Sequence, residues 1–375
     1  MFPTLLLLIG ITACAWAQRA TLHESRPALE FSNDRIELVM IKDGGAFASL
    51  VLKDDPKRVN PMWDPVRMAR ETGGAQRFGA GTGHFLCVDG FGPSTTEEQA
   101  AGLQGHGEAH RLPWQILRSS GAEAEFRVRL PLAQETLTRK VSMVPGEQVV
   151  LVESELESET AFDRPILWAE HGTIGAPFLA LGKVVVDQSV TDCQTKPYNA
   201  QARGPRTFPS AKNFIWPELP AERKSVNLRI APAVHGTMNH IGCLMTPSRE
   251  HGFITALNTE QRLLIGYFFR RADYPWVQHW MNYPDNRMYS WGLEFGMQPY
   301  DMTRRDILAL SPMFGAPTFR WLPAKGKVAT RFLMFMTRVP EGFGRVDDVR
   351  LSGGRLILED RSGAKTATLA CSRSL

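Results

Sequence analysis

The chain reads as an antiparallel all-β protein, and three observations carry that expectation. Segments 124–130, 135–144 and 148–157 alternate apolar with polar residues, the period of a half-buried strand. The breaks between strand-like segments are short, Pro145-Gly146 among them, as hairpin connections are. No heptad, internal repeat or low-complexity tract interrupts the pattern, and short strands at regular spacing indicate one antiparallel body.

Taken in order, the first strands are expected within 35–52, where IELVMI and AFASLVL flank the turn signal Asp43-Gly44-Gly45. A Pro-rich loop follows at 54–65. Residues 66–93 are rich in glycine and read as irregular backbone near a site. They are not a nucleotide fingerprint: Gly79 and Gly81 fit the first two positions of GxGxxG, but His84 occupies the third. Segment 97–105 suits a helical turn, and 166–171 continues the strand series. Residues 187–225 read as irregular. Strands are expected again at 226–230, 252–258 and 262–269, an aromatic loop YPWVQHWMNYPDN at 274–286, and further strands at 319–322, 328–337 and 349–359. Composition marks no internal boundary. The organisation expected is a targeting segment at 1–17, a lead-in at 18–34, one β-domain at 35–360 and a tail at 361–375.

The targeting segment rests on the apolar run from Leu5 to Ile11 and the small-x-small site Ala15-Trp16-Ala17 before Gln18. The run is far shorter than the roughly 20 apolar residues of a membrane span. Ile11-Thr12-Ala13-Cys14 also resembles a bacterial lipobox, which would leave a lipid anchor on Cys14. Either route exports the protein, to a periplasm or to the outside. Cleavage after Ala17 leaves Cys87, Cys193, Cys243 and Cys371, free to pair as disulfides in such a compartment or to remain buried thiols. A net charge of +4 with no Lys/Arg run argues against a nucleic-acid partner.

Three segments place a titratable residue among glycines and apolar residues: His106 in GHGEAH, His171 in AEHGTIG and Glu294 in WGLEFGMQP. Two imidazoles and a partly buried carboxyl suit proton transfer near neutral pH. Glu294, between Leu293 and Phe295, needs a partner, a pocket or an outward position, because an unpaired buried carboxylate is costly. Trp276, Trp280 and Trp291 lie close to it in sequence, and an indole face can cover the apolar face of a pyranose. His235, His240 and His251 match no standard metal-ligand spacing, and no GxSxG is present. Glu170 and Glu294 could pair as glycosidase carboxylates if their separation allowed it.

Together these residues resemble the galactose mutarotase (aldose 1-epimerase) superfamily of β-supersandwich proteins over roughly residues 35–340. His106-Gly107 with Trp114 resembles its His-Gly motif. His171, after a polar turn, a proline and a strand, resembles its second histidine. Glu294 with Gln298, Pro299 and Asp301 resembles its C-terminal Glu motif. This chain departs by His110, inserted between Ala109 and Arg111, and by the looser spacing of EFGMQPYD. The resemblance implies an antiparallel β-supersandwich that interconverts sugar anomers without a cofactor or metal. Glu294 would be the general base, His171 the general acid, and His106 a hydrogen-bonding partner of the ring oxygen. Arg77, Trp280, Trp291 and Gln298 would contact the sugar. The competing expectations are a non-catalytic carbohydrate-binding protein of the same fold and a glycoside-cleaving enzyme.

Overall fold

The computed structural model describes residues 17–73, 81–120, 123–198, 208–220, 225–231, 236–285 and 288–375. Two large antiparallel sheets dominate it, one of thirteen strands and one of eight. Their facing side chains form a single core. Leu38, Leu86, Trp168, Trp291 and Phe295 from the first sheet meet Phe126, Leu137, Val152, Ile254 and Phe332 from the second. The outer face of the eight-stranded sheet is itself partly covered. Leu151, Phe253, Leu264 and Phe335 pack there against Val349, Leu356 and Leu369 of a three-stranded sheet at the C terminus.

The middle of the thirteen-stranded sheet matters for function. Strands His84–Val88, Trp168–Gly175, Ser290–Gly296, Trp276–Tyr283 and Thr237–Met245 lie side by side in that order. Every residue of Trp168–Gly175 and of Ser290–Gly296 is buried, as expected of strands covered on both faces. Alternation then assigns each side chain to a face. Trp168, Glu170 and Ile174 point to the inter-sheet core, and His171 and Thr173 to the other side. Glu170 is held there by Arg139 of the opposite sheet at 2.5 Å and by His84 at 2.8 Å. The indole N–H of Trp168 and the Tyr274 hydroxyl also donate to it, at 3.2 and 3.1 Å.

Several sequence expectations need correction. The stretch 18–34, expected as a lead-in, carries two strands of the thirteen-stranded sheet, Ala17–His23 and Arg26–Ser32. The hairpin turn at Glu24-Ser25 has φ values of 46° and 64° without a glycine or asparagine, so no turn signal marks it. Residues 66–93 contain a helix, Pro65–Thr72, and a central strand, His84–Val88. Asp64 caps the helix, accepting from the Val66 and Arg67 N–H groups, and Pro65 sits at its first position. The aromatic loop at 274–286 is largely a central strand, Trp276–Tyr283, because burial on both faces hides the alternation that would mark it. Segment 187–225 holds strand Val190–Thr195, and the tail at 361–375 holds strand Lys365–Ala370. Cys193 and Cys243, opposite one another on neighbouring strands, form a disulfide, while Cys87 and Cys371 are buried thiols. No helix among the described residues is long and apolar enough to cross a membrane.

Candidate active site

On the side of the thirteen-stranded sheet away from the inter-sheet core lies a cavity of about 250 Å³. It is lined by Trp63, Gly81, Phe85, His106, His171, His240, Trp280, Glu294 and Asp301. The strand register explains the assembly. His171 stands opposite Phe85 on one neighbour and opposite Glu294 on the other. Glu294 stands opposite Gln278 on the next strand, and His240 stands opposite Trp280 on the one after. Residues far apart in sequence therefore share one face of five adjacent strands.

Glu294 is fully buried. Its Oε1 lies 3.3 Å from His171 Nε2, and its Oε2 lies 3.9 Å from His240 Nε2. Neither oxygen has a hydrogen-bond partner among the described residues. The carboxylate occupies this position only because residue 292, next on the same face of the strand, is glycine: a Cβ there would collide with Glu294 Oε1. His171 bonds through Nδ1 to the Thr173 hydroxyl at 3.0 Å, which turns Nε2 toward Glu294. Its ring stacks on Phe85, with centroids 4.2 Å apart.

His106 reaches the cavity from a loop, in a left-handed conformation with φ of 66°. Such a conformation is uncommon outside glycine and clusters at functional sites. Its Nδ1 accepts the Gly92 N–H at 3.3 Å and lies 3.4 Å from Cys87 Sγ. A neutral His106 therefore carries its proton on Nε2. Asp301 lies 3.4 Å from His240 Nε2 and pairs with Lys196 Nζ at 2.5 Å.

Electrostatics sort these groups. Burial, with the negative charge of Asp301 added, drives the Glu294 carboxyl well above its ordinary range, and Lys196 opposes this only in part. Burial, then repulsion from His106, drives His171 well below its ordinary value. Burial also lowers His106. Burial alone would raise Asp301, but His240 and Lys196 hold it below the usual carboxylate range. Burial thus favours the uncharged form of both groups, a neutral carboxyl at Glu294 beside a neutral imidazole at His171.

Five histidines, His84, His106, His110, His171 and His279, have folded pKa values lowered chiefly by burial. Below about pH 6.5 the unfolded chain binds protons that the folded one refuses, so stability falls with pH, by up to ~1.4 kcal/mol per pH unit for each such group. Glu294, Glu135 and Asp187, whose carboxyls burial raises, act in the opposite sense above their unfolded pKa values but are outnumbered. Urea midpoints are therefore expected to drop steadily from pH 7 to pH 5. A midpoint unchanged over that range would contradict this account of the histidines.

The structure brings His106, His171, Glu294 and Trp280 to one cavity. It does not bring Trp291 or Gln298 there. Trp291, three residues from Glu294 on a strand, faces the inter-sheet core and donates to His279 Nδ1 at 3.0 Å. The Gln298 side-chain oxygen accepts the Trp168 N–H at 3.0 Å, and the Gln298 backbone carbonyl accepts from Gln278 Nε2. Trp276 also turns from the cavity, donating to Pro317 O at 2.9 Å. Arg77 and His235 lie outside the described residues, as does Cys14 of the N-terminal segment. Glu170 and Glu294 point to opposite faces of the sheet, so they cannot flank one glycosidic bond. Sequence reasoning missed Trp63, Phe85, Lys196 and the placement of His240. Strand parity would have separated Trp291 from Glu294, but nothing local marks Trp63 or Lys196. His251 lies on strand His251–Asn258 of the other sheet, away from His240, and no group of His, Cys, Asp and Glu among the described residues could hold a metal ion.

No protein-family model matches the sequence, and no curated protein sequence matches it significantly. Solved structures do match its fold. A candidate aldose 1-epimerase from Klebsiella pneumoniae aligns with a TM-score of 0.58 at 13% identity, covering 85% of this chain and 82% of that one. A galactose mutarotase related enzyme from Lactobacillus acidophilus aligns with a TM-score of 0.57 at 11% identity, covering 86% of this chain and 100% of that one. A galactose mutarotase-like protein from Clostridium acetobutylicum gives a TM-score of 0.55 at 12% identity, covering 86% and 99% respectively. The chain has the galactose mutarotase-like β-sandwich fold.

Proposed function

We propose that this chain is an exported aldose 1-epimerase-like isomerase that interconverts sugar anomers by acid/base ring opening. The observation that carries the reading is Glu294, a buried carboxyl with no hydrogen-bond partner among the described residues, facing a cavity between two imidazoles. A volume of about 250 Å³ suits one sugar ring or one end group. The disulfide between Cys193 and Cys243 and the apolar N-terminal segment support export.

The chemistry needs one proton removed from the anomeric hydroxyl and one delivered to the ring oxygen. Glu294 takes the first and His171 gives the second. The C1–C2 bond then rotates, and the reverse transfers close the ring on the other face. This requires a carboxylate and an imidazolium, whereas burial favours the neutral pair. Sugar hydroxyls donating to Glu294 stabilise its charged form, so binding moves the shared proton to His171. His106, carrying its proton on Nε2, donates to the ring oxygen or an adjacent hydroxyl. The bond between C1 and the ring oxygen breaks as C1 becomes a carbonyl and re-forms on closure, with no net change of oxidation state, so the reaction consumes no cofactor.

Anomer exchange of common aldoses, followed by polarimetry or proton NMR, tests the proposal. Wild-type protein is expected to accelerate exchange for at least one aldose, and His171→Asn to slow it by about 10²–10⁴-fold. Sugar affinity without acceleration would favour a non-catalytic binding protein. Release of new reducing ends from glycosides would favour a hydrolase.

A further inference from the structure

We propose that Trp63 is the wall against which the substrate ring packs, so that the site selects a pyranose with an uninterrupted C–H face. This rests on the sugar reading above and names a recognition residue for it. Trp63 lines the cavity, and its indole N–H is buried with no hydrogen-bond partner among the described residues. Such a donor costs stability until something accepts from it. A hydroxyl oxygen at the rim of a stacked sugar supplies that acceptor.

The position of Trp63 is tied to the His171 strand. Its backbone N–H donates to Thr173 O at 2.9 Å, and its carbonyl accepts the Gly83 N–H at 2.6 Å. Two glycines make room for the indole. A Cβ at Gly175 would lie 2.6 Å from Trp63 Cδ1, and one at Gly81 would lie 3.2 Å from Cζ3. Trp63 is set at 84° to Trp280, with ring centroids 6.1 Å apart, and both residues are partly exposed. The other aromatic ring of the cavity, Phe85, already stacks on His171. The indole corner is therefore the aromatic surface still open to a ligand, a short span from the Glu294–His171 pair.

The test separates binding from chemistry by using glycosides that cannot ring-open. Methyl β-D-galactopyranoside and methyl β-D-glucopyranoside are titrated into the full chain by saturation-transfer NMR, with acyclic D-glucitol as the control. Transfer to the ring C–H protons of one sugar face is expected, with none to D-glucitol. Trp63→Ala should weaken glycoside binding by about five- to tenfold or more. Trp63→Phe keeps a ring but loses the donor and should fall between. With a reacting aldose, Trp63→Phe should raise KM more than it lowers kcat. Near-UV circular dichroism confirms that each variant is folded, and Trp63→Phe serves if the alanine variant is not. Unchanged affinity in folded Trp63→Ala or Trp63→Phe, or equal binding of D-glucitol, overturns the inference while leaving the isomerase reading intact. If neither glycoside binds and no aldose is turned over, the isomerase reading falls and this inference falls with it.

Discussion

Glu294→Gln is expected to reduce anomer exchange by about 10²–10⁴-fold, the range for a positioned acid or base, and to make the protein more stable at neutral and alkaline pH. The two effects share one cause. Glu294 is fully buried, and burial raises its pKa well above the ordinary value. Between the unfolded value, about 4.3, and the raised folded value, the native protein retains a proton that the unfolded chain has released. The stability this contributes is complete below the unfolded pKa and declines as pH rises through the window. Glutamine fills nearly the same volume and has no proton to lose. The variant's melting temperature should therefore exceed that of wild type, by a margin that widens from pH 5.5 to pH 8.5. Exchange rates and melting curves on the same two proteins check both halves. Activity within tenfold of wild type would remove Glu294 from the chemistry. A margin that narrows with rising pH would show that the carboxyl is not held neutral by its surroundings.

This pairing of lost activity with gained stability also separates Glu294 from a structural carboxylate, and Glu170 is the comparison. Both are fully buried, and both sit on adjacent strands of one sheet. Glu170 is surrounded by donors from Arg139, His84, Trp168 and Tyr274 and is held down to a pKa of about 2. Glu294 has no hydrogen-bond donor among the described residues and is pushed the other way. One strand position decides which face of the sheet a side chain joins. Glu170 stabilises the sandwich interior, and its neighbour His171 enters the cavity.

That parity also explains how much of the site was legible in the sequence. His106, His171 and Glu294 stand out because glycines and apolar residues surround a titratable group, and their order in the chain carries the resemblance. The all-β class was legible where one strand face is exposed, as at 124–157. It was lost where both faces are buried: His84–Val88, Trp276–Tyr283 and Thr237–Met245 each carry or frame the site, yet none shows a clean two-residue alternation. Trp63 reaches the cavity and Lys196 reaches its wall residue Asp301 through long-range pairing, Trp63 onto Thr173 and Lys196 onto His240 O and Asp301. No local pattern encodes such contacts. Trp291 and Gln298 illustrate the converse, since nearness to Glu294 in sequence is no guide to the face a side chain takes.

Arg139→Met is expected to be the most destabilising single change outside the cavity, by about 3–5 kcal/mol, because it leaves Glu170 charged and unpaired in a dry interior. Arg139 and Glu170 are both fully buried and 2.5 Å apart, and the guanidinium also donates to Ser154 Oγ at 2.9 Å. Methionine fills much of the arginine volume, so the loss comes from the charge left behind more than from a void. Burial would then push Glu170 upward, and the folded state would take up a proton near neutral pH that wild type excludes. The double variant Arg139→Met/Glu170→Gln removes that orphaned charge and should recover part of the stability, since the amide oxygen can still accept from Trp168 and Tyr274 while its NH2 donates to a neutral His84 Nε2. Urea denaturation of wild type, both single variants and the double variant measures this coupling directly. A loss below about 1 kcal/mol for Arg139→Met, or an additive double variant, would show that the pair is not a buried ion pair in solution. Exchange activity per folded molecule should stay within a few-fold of wild type in Arg139→Met, because this network lies on the face of the sheet opposite the cavity.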